Sequence, residues 1–333
     1  MVKETPGRKS EHIKICLERP VEFKKGNGFE KYDFVHNALP DLDWKDIDIS
    51  TMFMGKTFSA PLIIEAMTGG TPEASSINRN LARAAEEIGI GMGVGSQRAA
   101  IENPETLYSF QVRDVAPKIL LVANLGAAQM LEYGPEQLSS ALEMIGADAL
   151  AVHLNPAQEM FQKNGHRKWK DVIKSINSAC SLGFPVIVKE VGCGISAGVA
   201  KKLQNAGVSA IDVAGAGGTS WVRVEAYNHD SKIANDFFEW GIPTAEALRQ
   251  CSEAVKTPLI ASGGIRTGLD VAKSIAMGAS LAGMALPLLR PATESCDAVK
   301  QRLEEAITGL KTAMLLVGAK NIEELKKAEI KHN

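Results

Sequence analysis

Eight short apolar runs, spaced along the middle of the chain, constrain its fold more than any other feature. They are Leu62–Ala66, Ile90–Val94, Ile119–Ala123, Ala149–Leu154, Pro185–Lys189, Ala210–Ala214, Leu259–Ser262 and Leu281–Met284. Most are near-continuous Val, Ile, Leu and Ala, the pattern of parallel strands covered on both faces. Amphipathic stretches separate most of them. Over Ser76–Ile88, the residues Ile77, Leu81, Ala84, Ala85 and Ile88 share one helical face. Similar patterns occupy Trp169–Leu182, Ala197–Ala206, Ala245–Val255 and Leu269–Met277. Gly89, Gly146, Gly183, Gly207 and Gly278 stand where C-caps are expected before the next strand. Eight βα units over roughly 230 residues suit a (β/α)8 TIM barrel, whose usual size is about 250 residues. A doubly wound α/β sheet alternates in the same way. The count of eight, with a phosphate signal in the last two units, favours the barrel.

The expected barrel takes residues 61–290. Residues 1–60 form a polar, irregular N-terminal extension of extended or short helical character. Residues 291–333 form a C-terminal helical segment, with one helix over Ser295–Leu316 and a short final one over Asn321–Lys331. Between strands six and seven lies an insertion, Ser220–Pro243, rich in aromatic and charged residues and without a clear period. Such a segment is either a lid or a packing or oligomer contact.

The 333 residues, 45% hydrophobic and 23% charged, are enough to build a full core. Lys and Arg number 37 against 39 Asp and Glu, so nucleic acid and acidic membrane are not expected partners. No apolar run approaches the roughly 20 residues of a membrane helix. The charged start is unlike a secretory signal. Five widely spaced cysteines, an odd count, read as reduced thiols rather than a disulfide framework or zinc site. The expectation is a cytoplasmic metabolic protein.

A barrel carries its site on the loops after its strands, and chemistry-bearing residues cluster there. Strand seven runs into Ser262-Gly263-Gly264-Ile265-Arg266 and strand eight into Ala285-Leu286. Glycines let backbone N–H groups approach a phosphate, and a following helix favours its charge. Strand six runs from Asp212 into Gly215-Ala216-Gly217-Gly218-Thr219. Strand four gives His153, Asn155, Gln158 and Glu159 within seven residues; His153 and Asn155, two apart, share a side. Lys189, at the end of strand five, must meet an anion, form a Schiff base or turn outward. Ala66-Met67-Thr68-Gly69-Gly70, Gly95-Ser96-Gln97-Arg98 and Asn124 complete the set.

The motifs Arg8-Lys9-Ser10-Glu11-His12, Ala66–Gly70, Gly95–Arg98, His153–Glu159, Gly217–Ser220 and Gly263–Arg266 resemble those of the type 2 isopentenyl diphosphate isomerases. These are FMN-dependent (β/α)8 enzymes, and the likeness spans Arg8 to about Leu286. It implies that Ala66, Met67, Thr68, Ser96, Asn124, Lys189 and Thr219 hold the flavin ring and ribityl chain. Gly264, Ile265, Arg266, Ala285 and Leu286 would then hold its phosphate. Arg8, Lys9, Ser96, Gln97, Arg98 and His153 would bind the diphosphate of isopentenyl or dimethylallyl diphosphate. Gln158 would join them at the substrate, with Asn155 and Gln158 near the isoprenyl carbons and Gln158, His153 and Asn155 as the catalytic set. Glu159 would hold Mg2+. NADPH would serve only to reduce the flavin, and a tetramer or octamer is implied. One departure is Ala214, where many members have serine, so a flavin hydrogen bond is lost or replaced there.

Rival readings remain at this point. An FMN-dependent 2-hydroxy acid oxidase or dehydrogenase would share the phosphate loops and Lys189. It would also carry a histidine and arginine after strand six, but no histidine follows until His229. A nucleotide dehydrogenase on this barrel would want a cysteine there. A flavin-free Schiff-base enzyme would use Lys189 as nucleophile. A non-catalytic phosphate- or flavin-binding scaffold would have no use for His153, Asn155, Gln158 and Glu159.

Overall fold

The computed structural model describes residues 6–229 and 231–333, with side chains from Lys9 onward. Eight strands close a parallel barrel: β1 Leu62–Ile64, β2 Gly91–Gly93, β3 Leu121–Gly126, β4 Ala149–Leu154, β5 Val186–Glu190, β6 Ala210–Asp212, β7 Leu259–Ala261 and β8 Leu281–Met284. Each pairs with the next in sequence, and β8 closes onto β1 through Ala282–Leu62 and Met284–Ile64. The (β/α)8 TIM barrel expected from the eight runs is present. Several apolar runs extend beyond their strands because the backbone leaves the ladder to shape the strand-end loops. At Ala214 it turns left-handed (φ 36°), and its N–H donates to the Asp212 carboxylate rather than to a neighbouring strand.

The helices follow the apolar periodicity. Pro72–Ile88 starts on Thr71, whose hydroxyl accepts from Ala74 N–H at 3.1 Å, with proline in its first turn. Ile77 and Leu81 are each 1% exposed against the barrel, and such burial stabilises by about 1.5–3 kcal/mol per side chain. The helix stops at Gly89 (φ 81°), as the sequence predicts, because that left-handed turn suits a residue without Cβ.

The flanking segments are more ordered than the sequence indicates. A helix spans Pro6–Glu18, and a hairpin pairs Thr51–Phe53 with Lys56–Phe58. Phe58, 1% exposed, packs near Gly91 at the start of β2, so the hairpin plugs the end of the barrel where the strands begin. The long tail helix is Cys296–Val317, and the expected final helix shortens to Ile322–Leu325. The last two residues of that stretch instead begin a strand, Ile330–His332, because Tyr32–Phe34 offers it an antiparallel partner. The insertion after β6 forms a helix, Trp221–Asn228, and a 3-10 turn, Lys232–Phe237, with Val222, Val224 and Glu225 buried. Packing thus accounts for its first half. No described helix is long and apolar enough to cross a membrane.

Candidate active site

Strand register gathers the site. Gly126, His153, Lys189 and Asp212 form one row across β3, β4, β5 and β6. The cleft above this row is lined by Lys9, Ala66, Met67, Thr68, Ser96, Arg98, Asn124, His153, Asn155, Gln158, Glu159, Lys189, Thr219, Gly264, Ile265, Arg266, Ala285 and Leu286. Nearly every residue singled out in the sequence therefore meets in one place. Arg8 is the first exception, since its side chain lies outside the described residues.

Gln97, expected at the substrate, is the second exception, since it is not among the residues that line the cleft. Its side chain is fully buried and turned away from the cleft. The amide nitrogen donates to Ala141 O at 2.7 Å, and the amide oxygen accepts from Asn124 N–H at 2.9 Å. Gln97 N–H donates to Asn124 O at 2.8 Å, so this residue continues the β2–β3 ladder after β2 has ended. Asn124 is thereby fixed, and it orients His153 through a 2.8 Å contact between its Oδ1 and His153 Nδ1. Because the Asn124 amide nitrogen already donates to Val94 O, the network assigns the proton of that contact to Nδ1.

A chain of polar groups crosses the other wall. Asn155 Nδ2 donates to Gln158 Oε1 at 3.1 Å and to Glu159 Oε1 at 3.2 Å. Gln158 Nε2 donates to Glu225 Oε1 at 2.9 Å, and His12 Nε2 lies 3.3 Å from the same oxygen. Glu159 Oε2 accepts from His166 N–H at 2.5 Å. Pro156 opens the short helix Pro156–Phe161 that carries Gln158 and Glu159. Glu225, fully buried, comes from the insertion, and nothing in its irregular sequence marked it as a site residue. His12, quoted within an N-terminal motif, had no role assigned. Its ring packs edge-on to Trp221 at 5.4 Å.

Lys9 Nζ donates to Ser96 O at 2.9 Å and sits 5.4 Å from the Phe110 ring centre, bringing a cation to the cleft beside Arg98. Arg98 pairs with Glu102 at 2.7 Å. At the floor, Lys189 Nζ lies 3.3 Å from both Glu65 Oε2 and Asp212 Oδ2. Burial alone would lower the Lys189 pKa, but the two carboxylates lift it above its ordinary value. Lys189 is thus an ion-paired cation directed into the site, and neither an exposed lysine nor a neutral amine poised for Schiff-base chemistry. Glu65 and Asp212 had no role assigned from the sequence, although both stand at strand ends.

The phosphate side differs in one respect from expectation. The helix Gly268–Ala276 is capped by its own residues: Thr267 and Asp270 form a reciprocal box, and Asp270 Oδ2 also accepts from Arg266 N–H at 3.0 Å. Its N-terminus is therefore occupied. The backbone N–H groups of Gly264, Ile265 and Ala285, in contrast, find no protein acceptor among the described residues. A phosphate is the chemistry that satisfies such a set, and Leu286 opens a second helix beside it. The two glycine loops interlock so closely that a Cβ on Gly218 would stand 2.6 Å from Gly264 N. Arg266 donates to Gly264 O and Gly217 O and pairs with Glu22. Glu22 belongs to a strap whose neighbours bond to the strand-six loop, Phe23 N–H to Gly218 O at 2.9 Å and Ser220 N–H to Val21 O at 2.8 Å. Orphaned amides beside a buried cation fit FMN. Among the described residues no cluster of three or more His, Cys, Asp or Glu could hold a metal. Glu159 alone suits Mg2+, provided substrate oxygens and water complete the shell.

Comparison with known proteins bears on the family and the fold. Residues 112–332 match the family of FMN-dependent dehydrogenases. Proteins named isopentenyl-diphosphate delta-isomerase align along nearly the whole chain. The one from Pyrococcus furiosus is 48% identical over 97% of this chain and 86% of its own. That from Archaeoglobus fulgidus is 49% identical over 97% and 94%. That from Nostoc sp. is 46% identical over 97% and 95%. Among solved structures, a mandelate oxidase variant with a monooxide FMN adduct superposes with a TM-score of 0.65 at 18% identity, covering 92% of this chain and 90% of its own. An (S)-mandelate dehydrogenase variant gives 0.68 at 17%, covering 97% and 99%. At such identity these two speak for the fold alone.

Proposed function

The chain belongs to the type 2 isopentenyl-diphosphate delta-isomerase family, and from that premise we propose that it interconverts isopentenyl and dimethylallyl diphosphate on reduced FMN with Mg2+. The observation that carries this reading is the two-sided cleft. One side offers orphaned phosphate-binding amides over a buried lysine, and the other a polar chain from His12 to Glu159 beside Lys9 and Arg98. The reaction moves a double bond by one position, so one carbon gains a proton and another loses one, with no net transfer of electrons.

Reduced FMN, when bound, supplies the acid/base group for carbons whose protons are scarcely acidic. Gly264, Ile265, Arg266, Ala285 and Leu286 hold its phosphate, and Ala66, Met67, Thr68, Ser96, Asn124 and Thr219 line its ring and ribityl chain. Lys189 would supply the positive charge that favours the reduced anionic form of the flavin. Lys9, Arg98 and His153 grip the substrate diphosphate, with Arg8 joining them. Such charge-assisted bonds tether the substrate while its hydrocarbon end reacts. Glu159 shares Mg2+ with the diphosphate oxygens. Gln158, oriented by Asn155 and Glu225, stands closest in chemical type to a protein group assisting proton transfer; Glu225 holds the amide so that one face is presented consistently. A nicotinamide such as NADPH is needed only to reduce the flavin at the start. The protein works in the cytoplasm as a homo-oligomer, a tetramer or octamer.

An anaerobic assay with isopentenyl diphosphate, FMN, Mg2+ and sub-stoichiometric NADPH tests this reading. Many dimethylallyl diphosphates per NADPH are expected. Bound flavin with no allylic product would instead direct the search to 2-hydroxy acid oxidation.

A further inference from the structure

Beneath the cleft lies a cluster whose charges do not balance. Lys189 meets two carboxylates at 3.3 Å each, Glu65 from the loop after β1 and Asp212 at the end of β6. The three side chains are 10%, 9% and 1% exposed. Asp212 Oδ1 accepts from the Ser262 hydroxyl at 2.7 Å and Ala214 N–H at 3.2 Å, while its buried Oδ2 faces Lys189 with no hydrogen-bond donor among the described residues. Glu65 has no such donors among the described residues beyond Lys189, and it alone of the two carboxylates lines the cleft. β8 makes room for it with Gly283, where a Cβ would lie 2.8 Å from Glu65 Cγ. The other titratable groups nearby are turned away or held. Glu190 Oε2 accepts from the amides of Val191, Gly192 and Cys193, and His153 is bound to Asn124.

With both carboxylates ionised the cluster carries one net negative charge, and with Glu65 protonated it is neutral. A second negative charge placed against Lys189 would repel the first strongly in so dry a setting. Building on the flavin reading above, we propose that Glu65 is the proton store of the cofactor site, taking up one proton from solvent whenever two electrons enter the bound flavin. The balance is two electrons from a hydride donor or dithionite, one proton to the flavin to give its anionic reduced form, and one proton to the Glu65 carboxylate. Oxidation returns both. Burial supports the assignment by pushing the Glu65 carboxyl up to about 7, with the charge on Asp212 adding and Lys189 opposing.

The test is the reduction potential of the purified holoprotein against pH. Each proton taken up per two electrons gives about 30 mV per pH unit. The wild type should show about 59 mV per unit from about pH 8 to 9, where Glu65 is ionised before reduction, and Glu65→Gln about 30. A merely structural role would move the potential but leave the slope alone. Equal slopes in the two proteins overturn the proposal. If Glu65→Gln does not fold, proton uptake by the wild type during electrochemical reduction, read with an indicator dye at about pH 8.5, decides. Two protons per flavin with the absorbance of the anionic reduced form support the proposal, and one proton overturns it. A protein that binds no flavin at all would overturn the cofactor reading as well, a result seen in the first absorbance spectrum.

Discussion

Replacing Gln97 by methionine separates its structural role from the substrate-binding role its sequence position suggests. Methionine keeps nearly the same length, so no large cavity opens, but both polar atoms go. Two buried backbone groups then lose their partners, Ala141 O and Asn124 N–H. Each orphaned buried group costs about 1–3 kcal/mol. The sum lies at about 2–6 kcal/mol, and a figure near 3 kcal/mol is expected because the methionine sulfur accepts weakly. Urea unfolding of the two FMN-saturated proteins, compared at equal slope, measures the difference. The KM for isopentenyl diphosphate should change less than the stability, through slackening of Asn124 and His153. An unchanged unfolding midpoint with a tenfold higher KM would refute the reasoning and return Gln97 to the substrate.

Four further outcomes are expected. Gln158→Asn, which retracts the amide from Glu225, should lower turnover on the order of 100-fold while the flavin spectrum persists; undiminished turnover removes Gln158 from the chemistry. Glu159→Gln should raise the Mg2+ concentration for half-maximal rate about tenfold, one step of roughly 1.4 kcal/mol, and an unshifted Mg2+ curve places the metal elsewhere. Lys9→Ala should raise substrate KM about tenfold or more, since charge-assisted bonds contribute about 1.5–3 kcal/mol; equal loss of flavin would show that Lys9 packs the cofactor instead. Burial holds Glu190 at about 7 against the pull of three amides, above its ordinary 4.5. That folded-state shift stabilises below about 4.5 and fades as pH rises through 7, so Glu190→Gln should flatten the unfolding midpoint between pH 5 and 7; superimposable profiles contradict it.

The barrel was legible because its strands are covered on both faces and therefore read as apolar runs such as Ala149–Leu154, which the structure reproduces residue for residue. Glycines such as Gly89 and Gly207 announced the helix ends through a backbone requirement local to them. What the sequence hid depends on partners far away. Ile330 and Lys331 read as the end of a helix until Tyr32–Phe34 pairs with them in a strand. Glu225 joins Gln158 only because the insertion folds back across 67 positions. Gln97 and Arg98 are adjacent polar residues in one motif, yet the turn after β2 sends the first inward and leaves the second at the cleft. Glu65 and Asp212 were in view at strand ends, but only the closure of the barrel brings them to one lysine.

The strap at Val21–Phe23 sets a timetable for making this protein. Glu22 and Arg266 are 244 positions apart, so at about 5–20 residues per second the first leaves the ribosome roughly 10–50 s before the second exists. During that interval the strap has an unpaired edge, and the phosphate loops it will cover have not been synthesised. Flavin loading therefore belongs to the end of translation or later, when the last barrel units arrive. A cell short of flavin would then accumulate barrels that are already closed but whose cofactor seat is empty.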